Sequence, residues 1–165
     1  MKPYLKRAWA EISLSALEAN IRAISASLQG NTQIMAVVKA DAYGHGEAEI
    51  LQKLTQIGIR YFAVSNLDEA LHVRQYCPDS DVLILGYTPP EYADTLAQNN
   101  IIQGIVSAEY ACTLNARTRT PIRCHVKLDT GMGRIGITGD TPGDWADSIQ
   151  DMSFLRNLKI EGIYT

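Results

Sequence analysis

The chain has 165 residues, a formal net charge of −3, 46% hydrophobic residues and 20% charged residues. This size and composition are typical of one globular domain with a hydrophobic core. The slightly acidic charge excludes nucleic-acid binding through a broadly basic face, and no apolar stretch approaches the length of a membrane span. The opening sequence, MKPYLKRAWAEI, lacks an uninterrupted apolar region, which argues against a secretory signal and favours a cytoplasmic protein.

The cysteines and histidines predict neither disulfides nor a metal site. The three cysteines, Cys77, Cys112 and Cys124, are odd in number and have no metal-type spacing. They therefore favour reduced thiols in a cytosolic protein. The three histidines are scattered along the chain, so no metal centre is expected from them.

Strand and helix patterns alternate along the chain. A short alternation of apolar and polar residues predicts a possible first strand over residues 9–12. Apolar runs predict six further strands over residues 34–38, 61–65, 82–85, 101–106, 122–128 and 158–164. Helical periodicity predicts helices over residues 13–30, 47–57, 66–76, 108–116 and 144–155, with another opened by Pro89 and Pro90.

Four helix ends carry specific signals. Ser15 and Glu18 fit a capping box in the first helix, and Gly30 fits a stop after it. Asn66 and Ser107 precede later helices as caps.

This alternation predicts βαβ units and a parallel sheet. A complete (β/α)8 TIM barrel usually needs about 250 residues. This chain has six predicted strands of the βα type up to Thr165. Two architectures fit: an open sheet with helices on both faces, or a barrel that lacks its last quarter. The final segment, LKIEGIYT, is an apolar strand with no helix after it, and this favours the incomplete barrel.

The segment from Ile34 to Gly46, IMAVVKADAYGHG, joins a buried strand to a reactive side chain. Its apolar run, Ile34 to Val38, suits a strand buried on both faces. Lys39 follows directly, and burying its charge within the sheet would be costly. We therefore expect Lys39 at the carboxyl end of the strand, where an amine beside an apolar wall can act as a nucleophile. From position alone, a solvated lysine remains the alternative.

A second segment, KLDTGMGRIG, runs from Lys127 to Gly136 and also follows a strand. Its glycines match the G-x-G-x-x-G pattern of dinucleotide sites, which need a helix that starts directly on the glycines. The next residues, ITGDTPG, predict turns instead, so we reject a dinucleotide site. From this segment alone, the alternative interpretation is a flexible loop with an exposed arginine.

Together the two segments resemble the alanine racemase family, the fold-type III pyridoxal-phosphate enzymes. The sequence VVKADAYGHG is similar to the family's cofactor-lysine segment, and KLDTGMGRIG to its substrate-arginine motif. The opening RAWAEISLSALEANI and the terminal EGIYT also match, so the likeness spans nearly the whole chain. It implies that residues 1–165 form the N-terminal part of a TIM-type barrel. Two more barrel units and a β-rich C-terminal domain would follow.

The resemblance also implies roles for four side chains. Lys39 would be a catalytic base and the residue that binds pyridoxal 5'-phosphate, and Tyr43 would donate to the cofactor phosphate. Arg134 would lie near the substrate carboxylate and the cofactor's phenolic oxygen. Lys127 matches a position that is often carbamylated, and such an anion could hold Arg134 in place. From the residues alone, an unmodified Lys127 and a merely packed Tyr43 stay open, and His45 receives no catalytic role.

The implied activity is an isomerase that interconverts L-alanine and D-alanine and so supplies D-alanine for peptidoglycan. The full-length enzyme would be a homodimer in which a tyrosine of the partner subunit is the second base. That tyrosine lies beyond this chain, as do most phosphate-binding residues, so the 165 residues alone are expected to be inactive. Three alternatives remain: a serine or broad-specificity racemase, a non-catalytic pyridoxal-phosphate-binding barrel, and a cofactor-free structural fragment.

Overall fold

A computed structural model describes residues 8–165. The prediction that the amino terminus is not a secretory signal falls largely outside these residues. The strands are β1 (Met35–Val37), β2 (Tyr61–Val64), β3 (Asp81–Ile84), β4 (Ile102–Ile105), β5 (Ile122–Lys127) and β6 (Leu158–Tyr164). The helices are α1 (Leu14–Ser27), α2 (Lys39–Gly44), α3 (Glu47–Gln56), α4 (Leu67–Tyr76), α5 (Ala93–Gln98), α6 (Ala108–Arg117) and α7 (Pro142–Ser153), with a 3-10 turn at Pro90–Tyr92.

The six strands form one parallel sheet in the order β1-β2-β3-β4-β5-β6. Each strand pairs with the next strand along the chain, and helices occupy the connections. The predicted βαβ alternation is confirmed, because only crossover connections can join consecutive parallel strands.

Within residues 8–165, helices cover the outer face of the sheet and none lies on its inner face. On the outer face, strand residues such as Phe62 and Ile84 share one buried core with helix residues such as Leu51 and Leu114. The inner face has a smaller cluster to which only strands and strand ends contribute: Ala63, Leu83 and Ile102, flanked by Met35, Leu85 and Tyr164. Helices on one face favour the barrel over an open sheet covered on both faces.

The side chain of Tyr164 crosses the inner face from β6 to the end of β3. Its hydroxyl donates to the carbonyl oxygen of Leu85 at 3.0 Å. Neighbouring strands lie about 4.8 Å apart, so three flat spacings would exceed the reach of a tyrosine. The sheet must therefore curl, as the wall of a barrel does. Gly104, on β4 between them, leaves the space through which the ring passes.

The start of the chain differs from the sequence prediction. Residues 8–13 form no strand, and α1 begins after Ser13, whose hydroxyl accepts from the Ala16 amide at 3.2 Å. The predicted capping box of Ser15 and Glu18 is wrong because Ser13 already caps the helix two residues earlier. Glu18 instead forms ion pairs with Arg22 of α1 and with a lysine of α3.

Strand β1 is also less covered than its apolar sequence predicts. Val38, on the outer side, is buried, but Val37 is 42% exposed. The prediction of burial on both faces is wrong because β1 lies at an edge of the sheet and no helix packs on its inner side within residues 8–165.

Replacement of Gly104 by alanine is expected to destabilise the fold by about 1–3 kcal/mol, the usual cost of overpacking. A methyl group there would lie 2.5 Å from the Tyr164 hydroxyl oxygen and 2.7 Å from the Ile84 carbonyl oxygen. The measurement is the thermal unfolding midpoint of the full-length protein. Gly143→Ala is the control, since its nearest atom would be 3.5 Å away. An equal midpoint in the two variants would contradict the close packing described above.

Candidate active site

All predicted functional side chains lie where the parallel strands have their carboxyl ends, and we call this side of the sheet its functional edge. In parallel strands every carboxyl end faces the same way, and α/β folds place their chemistry there. Lys39 and Tyr43 follow β1, Lys127 ends β5, and Arg134 lies on the loop after β5. The end of β6 brings Tyr164 to the same edge.

Helix α2, which carries Lys39, is a single left-handed turn. The four residues from Ala40 to Tyr43 have φ between 51° and 57°, with ψ between 35° and 54°. For residues other than glycine, this conformation costs about 1–2 kcal/mol each. The glycines of this segment predict a loop, but the strained residues are not the glycines. The turn is closed by hydrogen bonds from the Ala42 amide to Val38 at 2.9 Å and from the Gly46 amide to Asp41 at 3.1 Å.

The left-handed turn places Lys39 and Tyr43 side by side. The Lys39 Nζ lies 5.9 Å from the centre of the Tyr43 ring, within the usual range of a cation–π contact. The Tyr43 side chain is 60% exposed, and Lys39 is half-buried. Within residues 8–165, the lysine amine has no hydrogen bond and no ion pair. Its nitrogen is therefore accessible to a small molecule.

Two carboxylates that the sequence analysis did not assign to the site connect this turn to neighbouring elements. Asp41 Oδ1 accepts from the Glu47 amide at 2.7 Å. Glu69, from α4, accepts from the Ala40 amide at 2.9 Å and from the backbone and hydroxyl of Ser65 at 2.8 and 2.7 Å. Burial opposes ionisation of Glu69, but these hydrogen bonds and the charge of Lys39 outweigh it and lower the pKa of the carboxyl.

Sequence reasoning missed Glu69 because the pattern around it has a local explanation. Glu69 is the third residue of a helix that begins after Asn66, and such a glutamate usually bonds back to the amide of the cap residue. Asn66 does accept from the Glu69 amide at 3.0 Å. The carboxylate instead contacts Ser65 and Ala40, and nothing in the sequence indicates the contact with a residue 29 positions away.

The glycine-rich segment after β5 is a closed loop. The Ile137 amide donates to Lys127 at 2.9 Å, and the Asp129 amide donates to Ile137 at 3.0 Å, so the loop's two ends are joined. Inside it, Asp129 Oδ1 accepts from the amides of Gly133 and Gly131 at 2.9 and 3.1 Å. These backbone hydrogen bonds, of which the one from Gly133 has the larger effect, lower the pKa of Asp129.

The next helix, α7, starts only at Pro142, which agrees with rejection of a dinucleotide site. At Gly136, φ is 132°, and a Cβ atom would lie 2.8 Å from the Asp129 amide nitrogen. A glycine at this position therefore allows the loop to close, because its two ends come so near each other that a side chain would not fit.

Arg134 projects from this loop into solvent. Its guanidinium donates to the sulfur of Met132 at 3.1 Å. Among residues 8–165 it has no ion pair, and it makes no hydrogen bond to Lys39, Tyr43 or Lys127. The structure thus brings Arg134 to the same edge as the lysines, with its hydrogen-bonding fork unused for an anion.

Lys127 is buried at the base of the loop, with 7% of its surface exposed. Its Nζ donates to the Leu128 carbonyl at 3.2 Å and lies 5.4 Å from the centre of the Tyr164 ring. No carboxylate pairs with it in the described part of the chain. Burial raises the pKa of Tyr164 to about 12, so the tyrosine stays neutral and does not balance the charge. Lys127 is therefore buried without a direct ion pair among the described residues, and Asp129 is the acidic group whose pKa its charge helps to lower.

Two other features of the described residues bear on the site. Within residues 8–165 no cluster of three or more histidine, cysteine, aspartate or glutamate side chains could hold a metal ion. No helix in the same range has the length and apolar character needed to cross a membrane.

Comparison with known proteins identifies relatives across nearly the whole chain. A curated amino-acid racemase of Enterococcus faecalis is 45% identical over 97% of this chain and 22% of its own length. A serine/alanine racemase of Enterococcus gallinarum is 40% identical over 98% and 22%, respectively. An alanine racemase of Desulfovibrio desulfuricans is 39% identical over 95% of this chain and 42% of its own length. The chain therefore spans less than half the length of these relatives.

Solved structures agree with the sequence comparison. Alanine racemase of Clostridium difficile 630, in complex with cycloserine, has a TM-score of 0.86 and 32% identity, and the match covers 98% of this chain and 44% of that one. A histidine racemase of Leuconostoc mesenteroides has a TM-score of 0.82 and 29% identity over 91% and 40%. The sequence model described as "Alanine racemase, N-terminal domain" matches residues 12–165. Together with the curled parallel sheet, these matches show that the chain belongs to the alanine racemase N-terminal domain family.

Proposed function

We propose that the full protein is a pyridoxal-phosphate-dependent racemase that interconverts L-alanine and D-alanine. The observation that carries this proposal is the accessible, unpaired amine of Lys39, which the left-handed turn sets beside Tyr43 at the functional edge of the sheet. Relatives at 36–40% identity are named alanine racemase or serine/alanine racemase, which supports the substrate class. D-alanine made in this way would serve peptidoglycan synthesis.

The residues present fit pyridoxal 5'-phosphate. An amine that reacts with an aldehyde must be accessible and free of a tight ion pair, and Lys39 meets both conditions within the described chain. The exposed Tyr43 has a hydroxyl available to donate to the cofactor's phosphate. When bound, the cofactor supplies an aldehyde for the lysine and a conjugated ring that stabilises the charge left on the substrate after proton loss.

Lys39 would hold and move a proton on one face of the substrate α-carbon. Racemisation also needs a base on the opposite face, since the proton must leave one side and return to the other. We assign that second base to a tyrosine of the partner subunit in a cytoplasmic homodimer. On this account the 165-residue chain alone does not racemise alanine.

Arg134 would bind the substrate carboxylate. Its planar fork of donors suits two carboxylate oxygens, and its present partner is only a thioether sulfur. A carbamate on Lys127 would replace the positive charge of the buried amine with an anion that could accept from Arg134.

Replacement of Lys39 by alanine in the full-length protein is expected to abolish the visible absorbance of bound cofactor and the racemisation of alanine. Lys39→Arg should behave alike, because it keeps the charge but cannot form the bond to the aldehyde. Absorbance spectroscopy after addition of pyridoxal phosphate measures the first effect. Lys159→Ala, at an exposed lysine on β6, is the control and should keep both properties. A Lys39→Ala variant with an unchanged visible band would exclude Lys39 as the anchor.

Lys127 of the full-length protein is expected to take up carbon dioxide as a carbamate. Incubation with isotopically labelled bicarbonate should give a carbamate signal in carbon NMR that Lys127→Ala lacks. Lys127→Glu places a permanent carboxylate near the same position, so it should retain more activity than Lys127→Ala. A spectrum without the labelled signal, together with equal activities of the two variants, would contradict this assignment.

A second candidate function is a racemase that acts on serine as well as alanine. Two observations favour it: a relative named serine/alanine racemase is 40% identical, and two named amino-acid racemase are 45% and 38% identical. The experiment is to measure kcat/KM of the full-length protein for both amino acids. A preference for alanine of about a hundred-fold or more, equal to roughly 3 kcal/mol, would favour the first candidate. Comparable values would favour the second, and no turnover of either would refute both.

A further inference from the structure

We propose that Glu69 is a positioning residue for Lys39, because its carboxylate fastens the start of the left-handed turn α2 to the end of β2. This inference rests on the proposed function, since it concerns the lysine assigned there as anchor and base. Glu69 itself would touch neither cofactor nor substrate; it would act through the backbone of the residue after Lys39.

The contacts of Glu69 connect two strand ends. Oε1 accepts from the amide of Ala40, the first residue after Lys39, at 2.9 Å. Oε2 accepts from the amide and the hydroxyl of Ser65, the first residue after β2, at 2.8 and 2.7 Å. Each oxygen thus serves a different strand end, and one side chain from α4 fixes the distance between them.

The turn needs such a contact because its conformation is unfavourable by itself. Ala40 has φ 53° and ψ 54°, and the next three residues are also left-handed without being glycine. The amide of Ala40 comes too early in the turn to find a partner inside it. Hydrogen bonds to a charged acceptor are stronger than those to a neutral one, so Glu69 can offset part of this cost.

The charge state of Glu69 agrees with this role. Against the effect of burial, hydrogen bonds from Ala40 and Ser65 and the positive charge of Lys39 lower the pKa of its carboxyl. The group is therefore ionised at neutral pH. The usual task of a glutamate at this helix position, a bond back to the cap residue's amide, is not what the carboxylate does here.

The test compares Glu69→Gln with Asp68→Asn in the full-length enzyme. Asp68 is the preceding residue in the same first helical turn and is exposed, so its replacement removes an equal charge without removing a hydrogen bond. In Glu69→Gln, only the amide oxygen still accepts, because the amide nitrogen is a donor, so the side chain can no longer accept at both strand ends. We expect Glu69→Gln to lower kcat about ten-fold or more with KM for alanine changed less than about three-fold.

Two further measurements separate positioning from general stability. Hydrogen exchange of the Ala40 amide should be about ten-fold or more faster in Glu69→Ala than in Asp68→Asn, because alanine has no side-chain acceptor for that amide. The milder variant Ser65→Ala keeps the Ala40 contact and removes only one hydroxyl, so it should change kcat less than about three-fold. It also provides a folded comparison if Glu69→Gln is unstable.

Three results would overturn the inference. They are an unchanged exchange rate at Ala40, a kcat of Glu69→Gln within about two-fold of Asp68→Asn, and an equal loss in Ser65→Ala and Glu69→Gln. A wild-type protein without cofactor absorbance or racemisation would instead refute the proposed function. The Ala40 exchange rate would still decide whether Glu69 holds the turn.

Discussion

The position of Lys39 depends on a backbone turn that is not stable by itself. Four residues with side chains adopt the left-handed conformation between β1 and α3, and each of them would prefer another region of φ and ψ. The turn persists because two carboxylates fasten it to its surroundings: Glu69 accepts from the Ala40 amide at its start, and Asp41, within it, accepts from the Glu47 amide at the start of α3. The benefit of this strain is geometric. In a helical turn, residues four apart lie on one face, so Lys39 and Tyr43 point the same way.

The rest of the sheet supplies a rigid frame for this turn. Neighbouring strands follow one another in chain order, so each strand end lies beside the next at a fixed spacing. The outer face is buried under helices, whereas the inner face stays narrow and has a tyrosine across it. The closed loop after β5 then brings Arg134 to the same edge as Lys39 without any contact between them.

Much of the fold could be predicted from local patterns. Six apolar runs and their intervening helical stripes correspond to β1–β6 and to the helices between them, because periodicity reflects which face is buried. The signals that failed were weak ones. An alternation of four residues before α1 forms no strand, and Ser15 lost its capping role to Ser13. Both errors lie near an element boundary, where several residues compete for the same hydrogen bond.

The candidate site could be proposed from the sequence only where a segment resembles a known motif. Lys39, Tyr43, Lys127 and Arg134 all lie within two such segments, and the strand ends explain why they share an edge. The groups that hold them could not be found in this way. Glu69 contacts a residue 29 positions earlier, and Tyr164 contacts one 79 positions earlier. Such contacts depend on how the sheet curls, which no local spacing encodes.

The hydrogen bond from Tyr164 to Leu85 also affects how the molecule is assembled. Strands added in chain order can pair with their predecessor as soon as they are made, so most of this sheet can form progressively during synthesis. The tyrosine is the exception, because it ends β6 and its hydroxyl donates back across β5 and β4. This contact across the inner wall can therefore form only after both strand ends that carry the lysines are already in place.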